Sequence, residues 1–296
     1  MPKVSVIIPC YNLGQYLDEA VDSVLNQTFQ DFELIIVNDG STDEFTNKLL
    51  KDYNKPKTTV YHTHNQGLPA TRNYGIERSS AEYICCLDAD DKYHPEFLEK
   101  CVKILDEDVK LNYGIATTWV NVFGNENFIW QVGDFDLSKI ACANSLHVAS
   151  LFRKKCWKEV GGYSTNLSGY QDWDFWISIV AKGYKWFTVK DVLFNYRVRD
   201  DSMITKSDKI KIDLFSMILN NNKEFYKNNF TEILKQFYIE KEIENKNNTL
   251  MIDERDKTIK AQSTMIDERD KTIKAQSTMI DERDKTIKAQ STMIDE

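Results

Sequence analysis

Short β-branched runs alternate with segments of helical apolar spacing along the first hundred residues. "VSVIIP" (Val4–Pro9) is one such run, and Leu13, Leu17, Ala20, Val21, Val24 and Leu25 follow at three- and four-residue intervals, with Asn12 placed to cap the helix. "ELIIVN" (Glu33–Asn38) is a second run, closed by "DGSTD", where Gly40 supplies the turn and Ser41 or Thr42 the next cap. A weaker strand at Thr58–His62, a loop "HNQGLPATRN", a helical stretch through Ile76, a strand Tyr83–Leu87 and a helix from Pro95 to about Asp106 continue the pattern. Strands apolar on both faces and separated by helices predict an α/β fold with a mostly parallel, Rossmann-like central sheet.

The second half is less regular. Tyr113–Val120 reads as a strand, "WKEVGGY" as a helix end with a glycine turn, and "QDWDFWISIVAKGY" as a helix turning Phe175, Trp176, Ile179 and Val180 to a core. Leu193–Val198 reads as a last strand, so that this half forms a mixed-sheet extension suited to a second substrate. Helical spacing then runs from Lys206 to about Lys246.

Three identical copies of "MIDERDKTIKAQST" follow (251–264, 265–278, 279–292), with a stub "MIDE". Isoleucine recurs every seven residues from Ile252 to Ile294, a stripe that stays on one side only if helices wind left-handed around each other. The facing seam holds Arg255 and Gln262, so the expected coiled coil is a weak one. A solitary charged helix is the plain alternative, with Asp253–Lys257 and Asp256–Lys260 at i,i+4 spacing. Self-association is the favoured reading, and a fully helical tail would span about 70 Å at the usual rise. The expected units are residues 1–205, a helical extension 206–250, and the repeat helix 251–296.

Composition narrows the function. With 296 residues, 42% of them hydrophobic, the chain is long enough to bury a full core. Each repeat balances three acids against three bases; the stub therefore gives the tail −2, and residues 1–250 carry −6 of the formal −8. Neither part invites nucleic acid. Six cysteines without a C-x-x-C pair read as buried thiols in a reducing compartment. The sequence shows no leader and no membrane-length apolar run, which predicts a cytoplasmic chain and stays compatible with peripheral contact at the inner face of a membrane.

The chemistry concentrates in "ICCLDADDKY". Asp88, Asp90 and Asp91 follow an apolar strand directly and would repel one another without a positive partner. Asp88 as a helix cap with the other two solvated is the plain reading of any lone D-x-D. Company changes that reading, because Pro9–Asn12, Asp39–Asp43 and Asp88–Asp91 all fall at strand carboxyl ends, where α/β sheets bind ligands. Mg²⁺ or Mn²⁺ held by one or two carboxylates and by substrate phosphates would relieve the repulsion. Asp39 can accept from a base N–H, and Arg72 can meet a diphosphate.

"VSVIIPCYN", "IIVNDGSTD", "HNQGLPATRNYG", "CLDADD" and "GGY…QDWDFW" occur in an order and spacing that resemble family-two inverting glycosyltransferases of the GT-A fold, over roughly residues 3–200. The resemblance implies that Pro9, Tyr11 and Asn12 cradle a nucleoside, with Tyr11 stacked on the base. It also implies that Asp39 binds the base N3–H, which suits uracil, and that Arg72 lies near the nucleotide. Asp88 would then touch the ribose or the metal, Ala89 would lie at the nucleotide, and Asp90 would ligate a metal bridging both phosphates. Asp172 falls where the family places its catalytic base. The partners implied are a UDP-sugar and a carbohydrate or glycolipid acceptor, in a setting such as surface-polysaccharide assembly.

Two positions depart from the family pattern. Gln171 stands where glutamate is usual, and Arg199, in "YRVRDDS", where many relatives carry a histidine available to the metal. These departures motivate one rival, a degenerate transferase serving as a coiled-coil assembly module. A sugar nucleotidyltransferase is the other, although a glycine-rich, lysine-bearing loop for a triphosphate is missing near the first strand. Trp173, beside Asp172, is the tryptophan most worth testing as a sugar platform; Trp157, Trp176 and Trp186 read as core. His62 and His64 form an H-x-H without a third ligand, and His94 and His147 read as structural.

Overall fold

The apolar runs become strands of one mixed sheet. A computed structural model describes residues 1–200, 207 and 209–294. The strands and helices of the first half are β1 (Val4–Cys10), α1 (Gly14–Leu25), β2 (Phe32–Asp39), α2 (Glu44–Lys51), β3 (Thr58–Thr63), α3 (Leu68–Arg78), β4 (Tyr83–Cys86), β5 (Lys92–Tyr93) and α4 (Phe97–Glu107). The second half adds β6 (Tyr113–Gly124), β7 (Phe128–Trp130), α5 (Leu137–Cys142), β8 (Leu151–Arg153), α6 (Lys154–Val160), α7 (Gln171–Ala181) and β9 (Lys185–Val198). Three further helices follow: α8 (Lys211–Asn221), α9 (Lys223–Asn228) and α10 (Phe230–Ile294).

The sheet order is β3-β2-β1-β4-β8-β6-β9-β5, with β7 paired to β6. The block β3-β2-β1-β4 is parallel, as crossover helices require. Beyond that block the sheet is mixed, as expected of the second half: β8 runs antiparallel to both β4 and β6 and β5 antiparallel to β9, whereas β6 and β9 pair parallel. Every residue of β1 is buried. Helix α3 lies so close over β1 and β2 that a Cβ on Gly75 would come within 2.5 Å of Ile7 Cγ2.

Local chemistry differs from the sequence reading at three helix starts. Asn12 does not cap α1; its φ of +57° turns its side chain away, and Leu13 precedes the helix without a side-chain cap. Asp43, rather than Ser41 or Thr42, caps α2 by accepting from Thr46 N–H at 2.7 Å. Helix α3 begins at Leu68, inside the expected loop, with Pro69 in its first turn, where the missing N–H costs nothing.

Two compact units are distinguished, Met1–Leu234 and Lys235–Glu296. In the first, α8 and α9 dock through Asn222 Nδ2, which donates to Asp174 Oδ1 at 2.8 Å, and through the Tyr226 hydroxyl, which donates to Ala141 O at 2.9 Å. In the second, the repeats lie on α10, and every described side chain of the repeats, from Met251 to Lys288, is exposed. The boundary expected at 205–206, residues 201–202 of "YRVRDDS" and the last two stub residues lie outside the described residues. All six cysteines are free thiols, and Cys142 alone is half-buried rather than buried. Among the described residues no helix is long and apolar enough to cross a membrane.

Candidate active site

The carboxyl ends of β1, β2 and β4 open on a cleft of about 780 Å³. Its lining includes Pro9, Tyr11, Asn12, Asp39, Asp88, Ala89, Asp90 and Arg199. Eight positions singled out from the sequence therefore share one surface. Asn65, Gly67, Ser168, Tyr196 and Arg197 line it too; the sequence pattern gives none of them a role of its own, although Asn65 and Gly67 fall in "HNQGLPATRNYG" and Tyr196 and Arg197 in "YRVRDDS".

Asn12 and Asp39 shape one end of the cleft by holding backbone. Asn12 Oδ1 accepts from Thr42 N–H at 2.7 Å and Asp43 N–H at 3.1 Å, tying the loop after β1 to the loop after β2. Asp39 accepts from Gln66 N–H at 2.9 Å and Gly67 N–H at 3.0 Å, one on each carboxylate oxygen. With the Thr63 hydroxyl at 3.5 Å from Oδ1, three of about four acceptor sites on the carboxylate are engaged, so capacity for a ligand N–H remains. Gly40 (φ +64°) lets the loop after β2 meet the loop after β3, since a Cβ there would fall 2.5 Å from Asn65 N. Tyr11 keeps 43% of its surface exposed beside them, leaving its ring available for stacking.

The positive partners of the acidic turn are arginines. Arg72 Nη2 donates to Asp88 Oδ1 at 2.6 Å from beneath the cleft, and Arg72 itself is only 2% exposed. Burial works against its charge, but Asp88 more than compensates and the guanidinium stays protonated. Arg72 is thus not in the cleft lining, and Asp88 is paired with it rather than capping a helix. Arg199 Nε donates to Asp90 Oδ2 at 2.8 Å. Burial and the Asp88 charge push the Asp90 carboxyl up, and Arg199 opposes them. Asp91 turns inward and accepts from Arg197 N–H at 2.8 Å, and burial followed by its two acidic neighbours raises it well above the usual range.

The β5–β9 pairing makes these contacts. Lys92 faces Asn195 and Tyr93 faces Phe194. That antiparallel register carries the end of β9 alongside the acidic turn and delivers Arg197 and Arg199 to it.

Asp172 sits in the first turn of α7, entered through Tyr170 in the left-handed region. Its Oδ2 accepts from Asn144 Nδ2 at 2.9 Å, whereas Asn144 Oδ1 is buried without a hydrogen-bond partner among the described residues. Burial raises the Asp172 carboxyl above its ordinary range; the Asn144 amide and the Arg72 charge pull it back, and Asp88 pushes it up. Asp172 is therefore near enough to feel both charges of the Asp88–Arg72 pair. Asn144 left no signal in the sequence, being a single polar residue in an irregular stretch.

Gln171 is buried, with its amide 3.5 Å from Leu167 O, and does not line the cleft. Trp173 belongs to the core rather than to a sugar platform. It is 2% exposed, donates from Nε1 to Ile140 O at 2.6 Å, and stacks on Phe215 with ring centroids 5.3 Å apart. His62 meets Asn38, and His147 is buried against the Phe194 ring.

A family model described as glycosyl transferase family 2 matches residues 5–169, which reach from β1 to the turn before α7. The chain belongs to that family. Asp172 lies just beyond the matched span. A chondroitin synthase of Pasteurella multocida is 29% identical over 211 residues, covering 70% of this chain and 22% of its own length. A glycosyltransferase of Rickettsia bellii is 30% identical over 236 residues, covering 74% of this chain and 33% of its own. The chain thus spans a third or less of either relative. In structure it is similar to S. aureus TarS 1-349, solved in complex with UDP-GlcNAc, with a TM-score of 0.62 at 20% identity, over 77% of this chain and 73% of that one. The sheet and its cleft are accordingly an α/β fold of the GT-A type.

Proposed function

We propose that this chain is a metal-dependent inverting glycosyltransferase that moves a sugar from a UDP-sugar to a hydroxyl of a carbohydrate or glycolipid acceptor. One observation carries the reading. Two carboxylates, Asp88 and Asp90, open on the cleft, while a third, Asp172, hydrogen-bonded by Asn144, lies within range of the Asp88 charge. An inverting displacement needs that division: cation and diphosphate at one side of the anomeric carbon, a base at the other. Family membership, relatives that include chondroitin and hyaluronan synthases, and a structural neighbour bound to UDP-GlcNAc support the donor and acceptor classes.

The donor set suits Mg²⁺ or Mn²⁺ in the mode where the protein gives one or two carboxylates and the substrate gives the rest. Among the described residues no three His, Cys, Asp or Glu side chains form a closed cage, and the cleft pair Asp88 and Asp90 fits the open mode. Asp90, with Asp88 beside it, would hold the ion. When bound, the ion neutralises the diphosphate leaving group. Tyr11 stacks on the base, Pro9 and Asn12 shape its seat, and Asp39 accepts from its N–H. Ala89, buried between the two acids, keeps the turn small. Arg72 acts through Asp88 by fixing its orientation. Asp172 takes the proton of the attacking hydroxyl, and the orphaned Asn144 Oδ1 beside it can accept a hydrogen bond from the acceptor.

With Mn²⁺ and a panel of UDP-sugars, the purified chain should release UDP, and Asp90→Ala should lower that release by about 10²-fold. A wild-type chain that neither binds nor releases UDP, behaving identically to the Asp90→Ala variant, would overturn the enzyme reading.

We propose a catalytic domain over residues 1–205, a helical extension over 206–250 and a repeat helix over 251–296. The repeat isoleucines, 52–60% exposed from Ile252 to Ile287, suit pairing with a second copy of the same stripe. Truncation after residue 250 should therefore lower the mass measured in solution by light scattering to that of a single chain. An unchanged subunit count after truncation would remove the tail from the assembly.

A further inference from the structure

Arg197 and Arg199 stand two residues apart, on one side of the extended chain, and both lie against the Tyr16 ring, at 4.9 and 5.4 Å from its centroid. Arg197 donates from Nε to Asp90 O at 2.9 Å and from Nη2 to Glu19 Oε2 at 2.9 Å. Arg199 bonds a carboxylate that itself lines the cleft, and the two side chains are 18% and 13% exposed. Of the other cleft acids, Asp39 is held by backbone amides and Asp88 by buried Arg72. Asp90 is the one whose counter-charge rides on a side chain facing the ligand space.

We propose that Arg199 is a resident counter-cation of the cleft, held on Asp90 until a nucleotide diphosphate arrives and then transferred to its phosphates. The proposal rests on the nucleotide-sugar reading above and deepens it. A diphosphate entering beside Asp88 and Asp90 meets like charge, so some cation must accompany it. A guanidinium fork matches phosphate oxygens as well as it matches a carboxylate, so the exchange conserves hydrogen bonds while releasing Asp90 for a divalent ion. Two consequences follow from one contact. Arg199 competes with the divalent ion for Asp90 in the nucleotide-free protein, and it retains the nucleotide when that ion is removed. Turnover remains dependent on the ion; nucleotide binding does not.

The test is calorimetric titration of UDP into the full chain, in EDTA and in Mn²⁺, with Mn²⁺ binding to the nucleotide-free protein followed separately by electron paramagnetic resonance. The wild type should bind UDP in EDTA, and Arg199→Ala should weaken that binding by about 10- to 100-fold, the loss of a charge-assisted contact. In Mn²⁺ the same variant should change UDP affinity by less than about threefold, and it should bind Mn²⁺ alone more tightly than the wild type. Arg199→Lys keeps the charge without the fork and should fall between them in EDTA, which also guards against a misfolded alanine variant. Wild type and Arg199→Ala matching in EDTA, or a wild type that binds UDP in Mn²⁺ and not at all in EDTA, would overturn the proposal. Failure of every variant to bind UDP even in Mn²⁺ would instead overturn the nucleotide reading of the cleft.

Discussion

Asp172→Asn is expected to lower kcat by about 10³-fold while leaving UDP affinity within a factor of about two, because a positioned general base contributes on the order of 10² to 10⁴. The substitution is close to isosteric, and asparagine can still accept from Asn144 Nδ2 through its amide oxygen. Only the capacity to take a proton is lost. Steady-state rates, together with calorimetry of UDP, separate the two effects. A variant that lost UDP binding in proportion to rate would show Asp172 to be part of the nucleotide seat, and the division of labour proposed for the cleft would fail.

The pH profile gives the same residue a second signature. Burial raises the Asp172 carboxyl above its ordinary value, and a base works only when deprotonated. Activity is therefore present above the raised value and lost as pH falls through it, so the acid limb of kcat/KM should lie above the ordinary aspartate value of about 3.9. Asp90 is raised for the same first reason, and its protonation would weaken cation binding over the same side of the profile. The Asp172→Asn variant separates them: whatever acid limb survives in its residual rate belongs to Asp90.

The first half of the fold was legible because its strands are buried on both faces and so appear as unbroken apolar runs. The run Glu33–Asn38 lies within β2, and Val4–Pro9 within β1. The second half hid its order in pieces too short to show a period: β8 has three residues and α5 six. Only Leu193–Val198 of β9 was expected, since its first half carries Lys185, Lys190 and Asp191 on a partly exposed strand. The acids of the site announced themselves by clustering. Their partners did not, because a local pattern cannot say which arginine faces which aspartate. Arg72 reaches Asp88 across 16 positions and Arg199 reaches Asp90 across 109, and both distances are set by tertiary packing and sheet register. The same reasoning explains Trp173, whose place beside Asp172 in sequence is a place on another face of α7, stacked on Phe215.

Arg72→Ala should carry the largest cost in stability, about 3 kcal/mol, which for a domain of this size lowers Tm by roughly 6 to 12 °C. Removing one member of a buried ion pair typically costs about 3 to 5 kcal/mol, and the lower end applies because the Asp88 side chain keeps 26% of its exposure and can recruit water. The loss has two parts: Asp88 is left without its counter-charge, and the space once filled by an almost fully buried side chain is left empty. Arg72→Met restores most of the volume without the charge, so it isolates the electrostatic part. Asp88→Asn alone should also destabilise, by leaving a buried guanidinium against a neutral amide. If the pair is the unit that matters, the double variant Arg72→Met with Asp88→Asn should cost less than the two single changes added, by an interaction energy of about 1 kcal/mol or more in a denaturant cycle. Strict additivity would mean that Arg72 acts by volume alone. Asp88 would then owe its orientation to the turn itself, and UDP affinity in the Arg72→Met variant should match the wild type instead of falling with the lost pair.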